Sequence, residues 1–223
     1  MRLVVWLVLV VIGAWGQVQE KARAVAQSLN QDYLQRVSLV EGAPAEFLKA
    51  LAARVDATKT FIAVSGSSAS DIECFDGSTF FVSTNLFRRF ASEAEFVAGI
   101  VQGVASTRVS NGYADELLEG KPMIFIGYFR NSRQAHGVRI EADKMAVGML
   151  SNLGYDPRAL VRFLTKQREF ATPGEQALIT ERIQALSSIS AGTEVEDSDE
   201  YLEARLQVAG RSIANPPRLL RFR

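Results

Sequence analysis

The sequence of 223 residues is poor in the two side chains that most often bind transition metals. It contains one histidine, His136, and one cysteine, Cys74. A single cysteine excludes an intramolecular disulfide bond and a cysteine-rich metal cluster. A single histidine excludes every site that requires two imidazoles, including a zinc centre with two histidine ligands. We expect His136 itself to be a surface or helix-capping residue.

The chain also lacks a charge imbalance, because 25 basic side chains are matched by 25 acidic ones. Without a long-range positive field, binding to nucleic acid is not expected. A hydrophobic fraction of 48% with 22% charged residues is typical of a globular protein and argues against disorder. No phosphate-binding loop, dinucleotide fingerprint or nucleophile elbow occurs.

The N-terminus has the order of an export signal. Arg2 precedes an apolar run from Leu3 to Trp15, which predicts a signal peptide over residues 1–16 and cleavage before Gln17. The run is shorter than the ~20 residues that a membrane-spanning helix needs. We therefore expect a periplasmic or secreted protein. The alternative is a protein anchored by an uncleaved N-terminal segment.

Hydrophobic periodicity predicts a mainly helical α+β fold with a small sheet that is antiparallel at least in part. We assign one domain to residues 17–190 and a charged C-terminal extension to residues 191–223. The predicted elements are helices near 18–37 and after Pro44, strands at 60–65, 71–75 and 79–83, and helices from Ser92, over 132–153, over 158–170 and from Pro173.

Ser92 and Glu95 form a capping-box pattern, which predicts that a helix begins there. We expect its core face to carry Val97, Ile100, Val101, Val104 and Ala105, and its opposite face to be small and polar. For the helix over 132–153 the predicted buried residues are Val138, Ala142, Met145, Ala146, Met149 and Leu150. For the helix from Pro173 they are Ala177, Leu178, Ile183 and Leu186.

Four segments in order are similar to one family. They are DGSTFFVSTNL (76–86), EFVAGIVQGVAS (95–106), RIEAD (139–143) followed by LGYDP (153–157), and TERI (180–183). They resemble the strand PGGxIxVxxGLL, the helix ELAAVLAHEIAH, the segment ExEAD … GYDP and the ERI helix of peptidase family M-forty-eight. This family comprises zinc endopeptidases of the HtpX-like, CAAX-prenyl-protease-like and BepA-like kinds.

The resemblance implies a zincin-like fold of the minigluzincin type, with a cleft between the sheet edge and the motif helix. It also assigns roles position by position. Gln102 stands at the first zinc histidine, Gly103 at the general-base glutamate, Ser106 at the second histidine and Arg139 at the third ligand. Only Asp143, an outer-shell residue in the family, matches the pattern.

These replacements exclude the family's chemistry. The Gln102 amide and the Ser106 hydroxyl are weak ligands, and the Arg139 guanidinium is always protonated and would repel a cation. We therefore predict no bound zinc, no other cofactor and no active catalytic residue. Instead, Arg139 is expected to lie opposite Gln102 and Ser106 and to pair with Asp143, as a structural substitute for the metal. The alternative is an unconstrained surface arginine.

The resulting functional prediction is an exported, catalytically degenerate metallopeptidase-like protein that acts as a chaperone or adaptor in the cell envelope. Its partner would be unfolded or extended polypeptide, or an envelope protein. The alternatives are an active zinc metalloendopeptidase and a purely structural envelope protein. The strand at 79–83 is expected to place Phe80 or Phe81, together with Val82, against the apolar face of the motif helix.

The C-terminal extension begins with an acidic run over 194–203 and ends with arginines that alternate with Leu219, Leu220 and Phe222. A solvated acidic loop followed by a frayed basic tail is one interpretation. The other is a tail that docks on its own domain, on a partner or on an anionic membrane surface. The N-terminal segment could make the same membrane contact.

Overall fold

The computed structural model describes residues 24, 26–65, 72–74, 77–90, 92–109 and 133–210 of the chain. The predicted signal peptide 1–16, the side chain of His136 and the basic tail from Arg211 lie outside the described residues. None of the helices within the described ranges is both long and apolar enough to cross a membrane.

The described residues form a mainly helical α+β fold with one small sheet, as predicted. Strand β2 has the predicted bounds, and most helices begin and end within a few residues of those expected from the sequence. The elements are α1 (26–34), β1 (Ser38–Leu39), α2 (Ala43–Val55), β2 (Thr60–Ser65), β3 (Ile72–Cys74), β4 (Thr79–Ser83), α3 (Thr84–Arg89), α4 (Glu93–Val109), α5 (Arg133–Asn152), α6 (Ala159–Glu169), α7 (Pro173–Ala185) and α8 (Asp199–Gly210).

The sheet has the strand order β1-β2-β4-β3. Strands β2 and β4 are parallel, with Phe61 opposite Phe80, whereas β1 and β3 pair antiparallel to their neighbours. The prediction of a partly antiparallel sheet is therefore confirmed. Strand β1 was not predicted, because two residues are too few to show a period.

The two faces of the sheet pack against different helices, as the alternation of side chains along a strand requires. Phe80 and Val82 join the main core, which also contains the apolar residues of α4. Phe81 points to the other face, where its ring lies 4.8 Å from that of Tyr33 on α1. Of the two phenylalanines expected against the motif helix, Phe80 is thus the one in that core.

Helix α4 is buried on nearly all sides, which differs from the predicted two-faced helix. Besides the expected apolar residues, Gly99 and Gly103 are buried. The reason is that both α5 and α6 pack against α4. At Gly99 the approach of α6 is so close that a Cβ atom would lie 2.6 Å from Cε2 of Phe163.

Two expectations about buried side chains are wrong. Met145 on α5 is 37% exposed, and Ala177 on α7 is exposed. In α7 the buried positions are Ile179 and Arg182. The apolar pattern of α7 does not reveal Arg182 as an inward residue, because the burial of its charge depends on a partner in another helix.

Helix α8 lies within the predicted extension, yet it completes the core. Tyr201 is fully buried, its ring lies 5.5 Å from Phe47 and 5.6 Å from Phe96, and its hydroxyl donates to the Phe90 carbonyl at 3.0 Å. Gln207 accepts a hydrogen bond of 2.8 Å from the backbone N–H at the start of α2. Residues on both sides of residue 190 therefore share one core, and the second half of the acidic run is helical.

Candidate functional site

Gln102 and Ser106, the two positions that the resemblance assigns to zinc histidines, lie one turn apart on α4, as predicted. The Gln102 Nε2 atom donates to Ser106 Oγ at 3.1 Å, and Ser106 Oγ donates to the Gln102 backbone carbonyl at 2.9 Å. Both side chains are half-buried. The two groups are therefore bound to each other, in a local pair that needs no metal.

Arg139 lies on α5, the helix that packs most extensively against α4. The prediction that Arg139 lies on a helix next to the motif helix is thus confirmed, and its orientation towards Gln102 and Ser106 stays a prediction. Burial, and secondly the nearby charge of Arg182, lower the pKa of Arg139 to about 10, against the opposing influence of Asp143 and Glu175. The side chain therefore remains a cation at neutral pH and cannot donate a lone pair to a metal.

Asp143, which is expected to pair with Arg139, is bound by Arg182 of α7, and its charge also acts on Arg139. Arg182 Nε donates to Asp143 Oδ2 and Nη2 to Oδ1, both at 2.7 Å. The relative exposure of Asp143 is 0% and that of Arg182 is 5%. This parallel two-bond geometry joins α5 to α7, and it satisfies a carboxylate that burial would otherwise destabilise.

The residues present do not fit the zinc that the resemblance implies. The ligand positions carry an amide, a hydroxyl and a guanidinium, and only the carboxylate of Asp143 has the required charge, which Arg182 already neutralises. Within the ranges that the structure describes, no three side chains of His, Cys, Asp or Glu come together as a metal-binding group.

A second polar cluster surrounds Glu93, which is buried at the start of α4. Its Oε1 atom accepts a hydrogen bond from the Tyr155 hydroxyl, and its Oε2 atom accepts one of 2.7 Å from the Ser198 backbone N–H. In return the Glu93 N–H donates to Asp197 at 2.7 Å. Burial and the bond to Glu93 raise the pKa of Tyr155 to about 12. Sequence reasoning missed Glu93, because glutamates are common in the first turn of a helix and nothing local indicates that this one is buried.

Asp156, next to Tyr155, binds the segment that leads to Asp197 and Ser198 at a second point. Its Oδ1 atom accepts hydrogen bonds of 3.0 Å from the backbone N–H groups of Gly192 and Arg158. Although burial acts in the opposite direction, these bonds and those from the Arg158 and Arg162 side chains lower the pKa of Asp156 to about 2. We call residues 192–198, held by Asp156 and Glu93, the strap.

A third polar group lies on the other face of the sheet. Glu73 of β3 is 1% exposed and interacts with Tyr33 of α1. Burial, and secondly the charge of Glu73, raise the pKa of Tyr33 above its ordinary value. Alternation along β3 places Glu73 away from Ile72 and Cys74, so this pair attaches α1 to the sheet and does not line the α4 side.

No known family model matches the chain, and no curated protein matches it. The fold and the site define a mainly helical α+β protein with a buried Asp–Arg pair. The kinship with the M-forty-eight peptidases is therefore a proposal.

Proposed function

We propose that this chain is an exported, catalytically inactive relative of the M-forty-eight zinc peptidases that binds extended polypeptide in the cell envelope. The observation that carries the proposal is the hydrogen bond of 3.1 Å between Gln102 and Ser106. The resemblance assigns these two positions to zinc histidines and Arg139 to the third ligand, and the helix α5 that bears Arg139 packs against α4.

The contact between Asp143 and Arg182 supports the kinship. The two residues belong to separate segments of the resemblance, 139–143 and 180–183, and they meet in a bidentate ion pair. Tyr155 and Asp156, from the segment 153–157, likewise bind buried or backbone groups. The segments that resemble the family thus serve the structure, while the positions that would supply the chemistry have changed.

For a peptide, the fold offers the edge of a sheet beside the motif helix. Strand β3 is the last strand of the described sheet, and it contacts α4. Its three residues are buried, so a peptide must displace the cover of this edge before it can pair with the strand. An extended peptide that adds to such an edge gains backbone hydrogen bonds that do not depend on its sequence. This mode of binding needs neither a metal nor a nucleophile, so it is compatible with the altered ligand positions.

The binding is tested with a permanently unfolded polypeptide, such as fluorescently labelled, reduced and carboxymethylated lactalbumin. We expect its anisotropy to rise on addition of the folded chain, and amide hydrogen exchange in Ile72–Cys74 to slow. Strand β1 at the opposite edge, Ser38–Leu39, is the internal control. Absence of binding, or equal protection of both edges, would contradict the proposal. Stoichiometric zinc with chelator-sensitive casein cleavage would favour the alternative of an active peptidase.

The kinship is tested by restoring the ligands. The triple variant Gln102→His, Ser106→His, Arg139→Glu places two imidazoles and a carboxylate at the family positions, so we expect it to bind about one zinc ion per chain. The matched control moves the second histidine to Thr107, which lies on a different face of α4 because neighbouring residues differ by ~100° around a helix. If the triple variant binds zinc no better than the control, these positions do not derive from a zinc site.

A further inference from the structure

Helix α8 (Asp199–Gly210) carries apolar side chains on two sides, of which only one faces the core. On the inner side three residues are buried, namely Tyr201, Ala204 and Val208. On the outer side Leu202 is 39% exposed, Leu206 is 73% exposed and Ala209 is exposed. These three lie within ~60° of one another, because each residue turns a helix by ~100°. A helix with a single buried side has a polar outer side, so the second apolar stripe indicates a further contact.

Two carboxylates lie beside the outer stripe. Asp199 and Glu203 are exposed, and both lie within ~60° of Leu206 around the helix axis. Neither carboxylate forms an ion pair with a residue in the described ranges. The next basic residue, Arg205, lies ~160° away from Glu203 around the helix, so the two do not share a side. We call these two carboxylates and the three apolar residues the α8 outer face, which comprises Asp199, Leu202, Glu203, Leu206 and Ala209.

Residues 211–223, which directly follow α8 and lie outside the described residues, have the complementary composition. They contain no acidic residue and four basic ones, Arg211, Arg218, Arg221 and Arg223. Between the basic residues lie four large apolar ones, Ile213, Leu219, Leu220 and Phe222. A basic and apolar segment therefore follows a helix whose outer face is acidic and apolar, and this match in charge favours contact between the two.

The length of this segment allows it to reach the whole outer face. Thirteen residues span up to ~43 Å, whereas the twelve residues of α8 rise by only ~18 Å. Asn215 and Pro216 form a turn signal, after which residues 218–223 can return over ~20 Å. A tethered segment also has an effective concentration of ~1 mM, so a contact with a Kd of ~0.1 mM would be ~90% occupied. A separate partner would have to reach the same concentration to compete.

We propose that residues 211–223 dock on the α8 outer face. Their arginines pair with Asp199 and Glu203, and their apolar side chains cover Leu202 and Leu206. The chain itself thus supplies the occupant of the second apolar side of α8. This contact does not depend on the proposed binding of extended polypeptide, which concerns the edge of the sheet.

The test is the initial rate at which trypsin cleaves the full chain after Arg218 and Arg221, followed by mass spectrometry. The synthetic peptide 211–223 gives the rate for a segment that has no face to dock on. When docking is faster than cleavage, this rate follows the undocked fraction, so we expect the full chain to be cleaved ~10-fold more slowly than the peptide. The triple variant Asp199→Asn, Glu203→Gln, Leu206→Ser should approach the rate of the peptide. Added salt should accelerate cleavage of the wild type more than that of the variant.

A matched control removes the same kinds of group elsewhere. The triple variant Glu46→Gln, Glu169→Gln, Leu39→Ser deletes two exposed carboxylates and an apolar side chain that is 56% exposed, and it should be cleaved like the wild type. Circular dichroism establishes that both variants are folded. The proposal is overturned if the wild type is cleaved as fast as the peptide, or if the control accelerates cleavage as much as the face variant. Protection that grows with protein concentration would also overturn it, and would identify a second copy of the chain as the occupant.

Discussion

The buried pair of Asp143 and Arg182 allows a quantitative prediction. Substituting Arg182 by methionine keeps most of the side-chain volume but leaves the Asp143 carboxylate, at 0% exposure, without its two hydrogen bonds of 2.7 Å. Loss of one partner from a buried ion pair costs ~3–5 kcal/mol. We therefore expect Arg182→Met to lower the free energy of unfolding by ~4 kcal/mol. At this chain length the midpoint of thermal unfolding should fall by ~10 °C.

A double-mutant cycle separates the charge from the packing. In the double variant Asp143→Leu, Arg182→Met no unpaired charge remains, so most of the lost stability should return, to within ~1 kcal/mol of the wild type. The cation control is Lys144→Gln on the same helix, which removes an exposed ion pair of 2.8 Å with Glu141 and should cost no more than ~1 kcal/mol. Urea unfolding followed by circular dichroism measures five proteins: the wild type, Arg182→Met, the single variant Asp143→Leu that closes the cycle, the double variant and the cation control. The reasoning is refuted if Arg182→Met costs less than ~0.5 kcal/mol, or if the double variant is as unstable as the single one.

Two further predictions concern packing and pH. Gly99→Ala places a Cβ atom 2.6 Å from the Phe163 ring and should lower the free energy of unfolding, measured in urea, by ~1–3 kcal/mol. At the control position, Gly148→Ala, nothing lies within 4 Å of the added atom, so this substitution should stabilise α5 by up to ~1 kcal/mol. Equal effects at both glycines would contradict the close α4–α6 contact. The depressed pKa of Asp156, about 2 against 3.8, means that its contribution is present above pH ~4 and is lost as pH falls towards 2. We therefore expect Asp156→Asn to lower the free energy of unfolding by ~2 kcal/mol at pH 7 and to reduce its fall between pH ~4 and pH 2. If the pH dependence of the free energy of unfolding does not change, the strap is not held by this charge.

The sequence was sufficient for those elements that short-range patterns determine. The β-branched and aromatic residues of Thr60–Ser65 predict a strand, and the structure has one with these bounds. The Ser92 capping pattern predicts the start of α4, where the Glu95 N–H donates to Ser92 Oγ at 3.3 Å. These signals lie within a few residues of one another. They do not depend on what packs against the element.

The errors fall where a partner comes from a distant segment. The spacing of four residues on a helix predicts Arg139 as the partner of Asp143, but nothing in it indicates Arg182, which is 39 residues away from Asp143 and makes the two-bond contact. Similarly, the acidic composition of 194–203 suggested a solvated loop, whereas Tyr201 within it is fully buried. Spacing along the chain describes only local neighbours. The partner of a buried charge is decided by which helices pack together.

The position of Tyr201 has a consequence for folding during synthesis. Its ring completes an aromatic group with Phe47, Phe87 and Phe96, all of which are made much earlier in the chain. Until α8 has left the ribosome, these three rings and the first turn of α2, which Gln207 caps, lack their cover. The nascent chain thus exposes apolar surface until residues 199–210 have been made and have left the ribosome, and exposed apolar surface is what makes a growing polypeptide depend on chaperones.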